Sequence, residues 1–256
     1  MKPPIGGFIS IILKRRYIMG FLGNKIKGPI KITLDDGIFC KSWTASAKDC
    51  AHTLEVIASK KYYNLVYRDG EFFGMPRPMG GSIYPFSKDL LKPGSRAEKK
   101  NHCDIEVVCV TAGASLDVKW GVSDKYLHDS KTGKDYYFHA FGQFYVEIDP
   151  ADAAKNANTF YHKLCVQNDS DVMTNEALRD KLKAAFENRI AAVIEKTLLS
   201  IDRPLSSFVN VMASEALEIS KKVYYEVRNM FSEFGITIAE EASIGSIVQS
   251  VGVREI

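Results

Sequence analysis

The chain has 256 residues, 46% of them hydrophobic, and its 34 basic and 31 acidic residues leave a formal charge of +3. That apolar content suffices for a packed core and excludes a disordered chain, while the charge balance falls well short of a polybasic nucleic-acid binder. Cys40, Cys50, Cys103, Cys109 and Cys165 form no CxxC pair. An odd set of this kind suits reduced thiols in a cytoplasmic protein, not a disulfide framework. His102 beside Cys103 does not make a zinc site, which needs four convergent ligands, so neither metal nor cofactor is expected.

The chain opens with an apolar run, residues 5–13, followed at once by Lys14, Arg15 and Arg16. As a helix the run would span about 14 Å, less than half of a hydrocarbon core of roughly 30 Å, so it is no spanning helix. A signal peptide would carry its cations ahead of the run and a small-residue cleavage site after it. The expectation is interfacial: Ile5, Phe8, Ile9, Ile12 and Leu13 dip into a leaflet, and Lys14, Arg15 and Arg16 sit among anionic headgroups. The alternatives are a segment packed on its own domain, a free extension, or a start at Met19 that removes it. Residues 1–27 are therefore set apart from a single domain over 28–256.

From Gly28 to Asp149 the chain is β-rich. IKITL, DDG and IFCKSW predict one hairpin, and YNLVY, RDG and EFFG a second, because glycine accepts the positive φ of a tight turn. Between them, Ala47, Ala51, Leu54 and Ile57 fall at roughly helical spacing, which fits a short helix or an ordered loop. MPRPMGGSIYPF, 75–86, holds three prolines and a glycine pair and reads as an extended loop outside any central strand. DIEVVCVTA, 104–112, is a β-branched run typical of a buried strand, and LDVKWGV, 116–122, is another.

DYYFHAFGQFYVEIDP, 135–150, follows a polar turn at 128–133. Alternation puts Tyr136, Phe138, Ala140, Gly142, Phe144, Val146 and Ile148 on a core face, and Tyr137, His139, Phe141, Gln143, Tyr145, Glu147 and Asp149 on an amphipathic one. His139, Gln143, Asp129 and Glu147 are the only loosely clustered polar candidates for catalysis. No nucleophile or second base is evident beside them, and no catalytic site is assigned.

Asp149-Pro150 then signals a helix start, with a helix expected over 151–166. A second helix is expected over 174–199, with Leu178, Leu182, Ala185, Phe186, Ile190, Val193, Ile194 and Leu198 in one buried stripe. A third is expected over 214–234 and closed by Gly235 in a left-handed conformation, and strand alternation resumes over 236–247.

In RDGEFFGMPRPMGGSIYPF, DVKWGVSDKYLHD, the Gly142-containing strand ending in Ile148-Asp149-Pro150, and the junction Phe234-Gly-Ile-Thr-Ile, the chain resembles the SPFH (stomatin, prohibitin, flotillin; band 7) domain. The closest resemblance is to its bacterial virion-core-protein-like branch. It covers roughly 62–247, and the cysteine-rich zinc ribbon of that branch and the coiled coil of flotillins do not follow. The resemblance implies an α+β domain, a curved, mainly antiparallel sheet with three C-terminal helices packed on it. It also implies a non-enzymatic homo-oligomer that organises membrane patches at the cytoplasmic face. The competing expectation is a soluble binding module or a structural component of a phage-like particle, and an enzyme is the third class.

Overall fold

The computed structural model of the protein describes residues 34–46, 54–57, 60–75, 83–86, 104–166, 171–200, 205, 213–239 and 244–256. It is α+β, with antiparallel sheets and helices packed on them. The first sheet takes the order β4 (Glu71–Gly74), β3 (Tyr62–Arg68), β6 (Asp104–Thr111), β1 (Ile38–Ser46), β9 (Val172–Thr174). Its central strand is the β-branched run of residues 104–111, whose two faces are both covered, so Ile105, Val107, Val108, Cys109 and Val110 are all fully buried.

The RDG hairpin forms as expected, with Asp69 and Gly70 at φ of 49° and 85° in the turn between β3 and β4. The DDG turn also forms, with Gly37 at φ 82°, while residues 30–33 of the hairpin arm expected before it lie outside the described residues. The edges of β1 are taken by β6 and β9, strands remote in sequence whose apolar side chains complete the core. Leu54–Ile57 is a strand, β2, not a helix, and it pairs with β5 (Ile83–Phe86) inside the stretch expected to be loop. This two-stranded ribbon has no central strand, so Pro85, which cannot donate to a ladder, is tolerated there.

The second sheet is built on one long hairpin, β7 (Leu116–Asp129) and β8 (Lys134–Ile148). The turn is held by Asp129, whose carbonyl accepts the Thr132 and Gly133 amides. On its other edge β8 is paired at one end by β10 (Ile236–Ile238) and at the other by β11 (Ser250–Glu255). The single closing strand expected over 236–247 is thus wrong: Ile236–Ile238 is strand, but Ile244–Ile247 is a helical turn, α4, and a further strand follows.

Gly142 explains the turn. A Cβ there would lie 1.9 Å from the Ile247 carbonyl oxygen, so only glycine lets the backbone of α4 seat on β8. The Ile247 carbonyl then accepts the buried Trp120 indole N–H at 2.9 Å. Between β10 and β11, β8 is satisfied piecemeal: its Tyr145 carbonyl takes the Ala239 amide, Gln143 the Ser246 hydroxyl, and Phe141 the Gln249 amide.

The Asp149 side chain accepts the Ala151 amide at 2.9 Å, and Pro150 starts a 3-10 turn that leads into α1 (Ala153–Phe160) and a π-helical turn (Tyr161–Cys165). The next helix, α2 (Asn175–Ser200), buries Leu178, Leu182, Phe186, Ile190, Ile194 and Leu198, every fourth residue, while Ala185 is exposed and Val193 only half-buried, against the stripe expected. At 3.6 residues per turn each such step rotates the stripe by about 40°, so it winds roughly half-way round the helix. One face therefore meets β7 and β9, and another meets α3 (Ala213–Ser232).

Phe186 stacks near Phe231 of α3 with ring centroids 4.2 Å apart, and Phe231 meets Phe144 of β8 at 5.5 Å. These contacts fix the helices on the inner face of the second sheet. Gly235 ends α3 at φ 71° as expected, where a Cβ would strike the Asn156 carbonyl oxygen of α1. Ser220 of α3 is fully buried, and its hydroxyl both donates to the Val248 carbonyl and accepts the Val248 amide. One contiguous core joins both sheets and the helices.

Candidate functional site

The helices cover one face of the β7–β8 hairpin, and the other face is the candidate site. Register sets its side chains in rows: Gln143 opposite Lys119, Phe141 opposite Gly121 and Ser250, His139 opposite Gly252, and Tyr137 opposite Tyr126 and Arg254. Period-two alternation sends all of these β8 residues outward. Among the described residues no helix packs over them, and Phe141 and Tyr126 stay 50% and 54% exposed.

Two glycines shape this face. The His139 imidazole lies on the backbone of Gly252, where a Cβ would come within 2.2 Å of the ring. Gly121, opposite Phe141, leaves the phenyl ring standing beside a bare backbone. Toward the hairpin end Arg254 lies over the Tyr137 ring at 5.8 Å, and Tyr126 meets Tyr137 edge-on at 6.4 Å. Gln143 donates to the Tyr145 hydroxyl at 3.0 Å. The surface sets aromatic, amide and cationic groups side by side.

Polar groups gather at the hairpin tip. Asp135 accepts the Tyr126 hydroxyl at 2.7 Å and lies 2.6 Å from His128 Nδ1. His128 first, then Tyr126, hold its carboxyl below the ordinary value, and the same contact with Asp135 raises the Tyr126 phenol. These groups are half exposed, with no nucleophile placed among them.

The four polar candidates named from sequence do not converge. His139, Gln143 and Glu147 share the outer face but fall four residues apart, about 13 Å per step along a strand. Asp129 turns inward and is 3% exposed. Burial pushes its carboxyl up, but hydrogen bonds from the Lys131 amide, the Thr132 hydroxyl and the Leu205 amide outweigh it and hold it below the ordinary value. Its hydrogen bonds clamp the turn.

A cleft of about 210 Å³ at the opposite end, lined by Asp35, Phe39, Tyr62, Thr111, Ser115 and Asn175, is smaller than ordinary small-molecule sites. Among the described residues no three His, Cys, Asp or Glu side chains are grouped to hold a metal ion. No described helix is long and apolar enough to cross a membrane. The interfacial candidates Ile5, Phe8, Ile9, Ile12, Leu13, Lys14, Arg15 and Arg16 lie outside the described residues, as do Met19, Cys50, His102 and Cys103.

Sequence reasoning found His139, Phe141 and Gln143 but missed Lys119 and Gly121, which the same alternation applied to β7 would have placed beside them, and Tyr126, which alternation alone sends inward and only the bulge between Val122 and Lys125 turns outward. Gly252 and Arg254 carried no such signal, because β11 lies beyond the strand expected to close the domain. No protein-family model matches the chain, and no curated protein matches it either.

Proposed function

We propose that the protein is a non-enzymatic, self-assembling scaffold of the SPFH type that works at the cytoplasmic face of a membrane. The observation that carries this reading is the outer face of the second sheet, over which no helix packs among the described residues. A homo-oligomer can bury Tyr126, Tyr137, His139, Phe141 and Tyr145, which share a face that the helices among the described residues do not cover. The mixed polarity of the face, with Lys119, Gln143 and Arg254 among the rings, suits a protein partner better than lipid. Membrane contact therefore falls to the apolar and basic N-terminal segment.

Light scattering after gel filtration tests the assembly. The expected mass is well above the 28.6 kDa of one chain, falling when Phe141→Asp puts a charge at the centre of the face. Flotation with anionic liposomes should weaken when Lys14, Arg15 and Arg16 are neutralised. A protein that stays monomeric at every concentration and never floats sinks the proposal. An oligomer that never floats and captures a soluble partner supports the other reading, a binding module or component of a phage-like particle.

A further inference from the structure

The outward row of β8 reads almost the same in both directions. From Phe141, the first step either way meets a hydrogen-bonding group, His139 or Gln143, and the second meets a tyrosine, Tyr137 or Tyr145. Each step of two residues is about 7 Å. A symmetric interface between two identical chains makes this demand, because what stands on one side of its two-fold axis must fit what stands at the same distance on the other. An axis crossing β8 at Phe141 lays Tyr137 beside Tyr145 of the partner subunit and His139 beside Gln143 of the partner subunit. Gln143 spends its amide nitrogen on the Tyr145 hydroxyl, which leaves its amide oxygen to accept an imidazole N–H.

The charges of β7 follow the same axis. Lys119 lies opposite Gln143, one step beyond Phe141, while Ser123 and Asp124 share the bulge opposite His139, one step before it. Asp124 belongs to the outer face, because its carboxylate lies 3.7 Å from Arg254, which sits over the Tyr137 ring. Its side chain is 75% exposed. Each Lys119 therefore meets Asp124 of the partner subunit, and two opposite-charge pairs flank the centre. The axis also brings Glu147 to the row of Asp135, about 20 Å from Phe141. Packed sheets cross at about 30°, which carries those two carboxylates about 10 Å apart sideways but displaces the inner rows by less than a strand spacing.

Gly121 supplies the room at the centre. Among the described residues, a Cβ there would meet only Phe141 Cβ at 3.8 Å and the Ala140 carbonyl oxygen at 3.9 Å, both ordinary contacts. One chain by itself therefore tolerates a side chain at 121. Two Phe141 rings meeting on the axis need the bare backbone beside them to lie offset against each other.

We propose that two copies of this chain pack the outer faces of their second sheets together about a two-fold axis at Phe141, with the rings nested over Gly121 and Lys119 paired to Asp124 of the partner subunit. This pairing rests on the self-assembly proposed above and gives it a symmetry. Thirteen residues of β8 and the width of three strands make a patch of about 40 Å by 14 Å, so the pair buries on the order of 1,000 Å², enough for a pair that forms and separates with concentration.

The test joins light scattering over a concentration series to site-directed cross-linking in the full-length protein. Under copper–phenanthroline oxidation Phe141→Cys should link to itself, and Tyr137→Cys should link to Tyr145→Cys in a mixture far more than to itself, as read by mass spectrometry of the linked peptides. Gly121→Val should keep the wild-type circular dichroism and weaken pairing about tenfold. Lys119→Gln should weaken it several-fold and flatten its dependence on salt. No link at Phe141→Cys, a link from it to Cys50 or Cys103 of the same chain, self-linking of Tyr137→Cys equal to the mixed link, or wild-type pairing in Gly121→Val overturns the proposal. The cross-links decide the matter even if Gly121→Val folds poorly. A mass above one chain without the Phe141 link overturns this pairing and spares self-assembly, whereas the link at a mass of two chains, with no liposome flotation, supports the pairing and removes the membrane scaffold.

Discussion

Strand β8 carries two phenylalanines three residues apart whose surroundings could hardly differ more. Phe144 faces inward and is 1% exposed between Trp120 and Phe231, while Phe141 faces outward and is 50% exposed over bare backbone. Both obey the same alternation and both are strongly apolar. The difference lies only in what stands opposite: two helices on one side and, among the described residues, none on the other. Folding of this chain accounts for Phe144 and leaves Phe141 without a fold-stabilising role, which is why the outer face is the place to look for function.

The most direct way to break that contrast is to truncate both rings. Phe144→Ala should lower unfolding free energy by about 3–5 kcal/mol in urea titrations, while Phe141→Ala should stay within about 0.5 kcal/mol. Equal losses would mean that the outer face is part of the core. Gly142→Ala tests how the inner face is closed. Its Cβ would meet a backbone carbonyl, not a flexible side chain, so a loss of about 3 kcal/mol, roughly 6–12 °C in Tm, is expected.

Ser220→Ala, which orphans the buried amide and carbonyl of Val248, should cost about 2 kcal/mol by the same titration. The smallest effect belongs to the exposed hairpin tip. Asp135 has a folded-state value depressed by His128 and Tyr126, so its contribution is present above an unfolded value near 4 and is lost as pH falls through the folded one. Asp135→Asn should therefore flatten part of the fall in Tm below about pH 4. Asp129, similarly depressed, should account for another part.

Much of this architecture is legible before any coordinates. The alternation in 135–148, the Asp149-Pro150 helix start and the left-handed Gly235 all arise from local chemistry, namely period, capping and φ, and each is found where the residues imply. Long-range pairing is not legible in this way. β9 is three residues, too short for a period, and nothing beside IFCKSW announces its pairing with β6 or with β9. IGSI over 244–247 alternates well enough to pass for a strand, and only the notch at Gly142 across the sheet makes it a turn. The candidate site was half visible for the same reason: β8 supplied its central row, and β7 and β11 supplied flanks that only register could bring alongside.

The patchwork along the edge of β8 bears on how the chain acquires its fold. The hairpin with β7 closes over a short turn and can form early, but the other side of Tyr136–Phe141 waits for a strand on the order of a hundred residues downstream. Until β11 arrives, a long aromatic strand stands with unmet hydrogen-bonding groups, a competent template for mispairing with another chain. Docking of α4 into the Gly142 notch lies directly before β11 in sequence and delivers it to its register. That notch, described above as a steric allowance, is in kinetic terms the step that ends the exposed and aggregation-prone life of the nascent sheet.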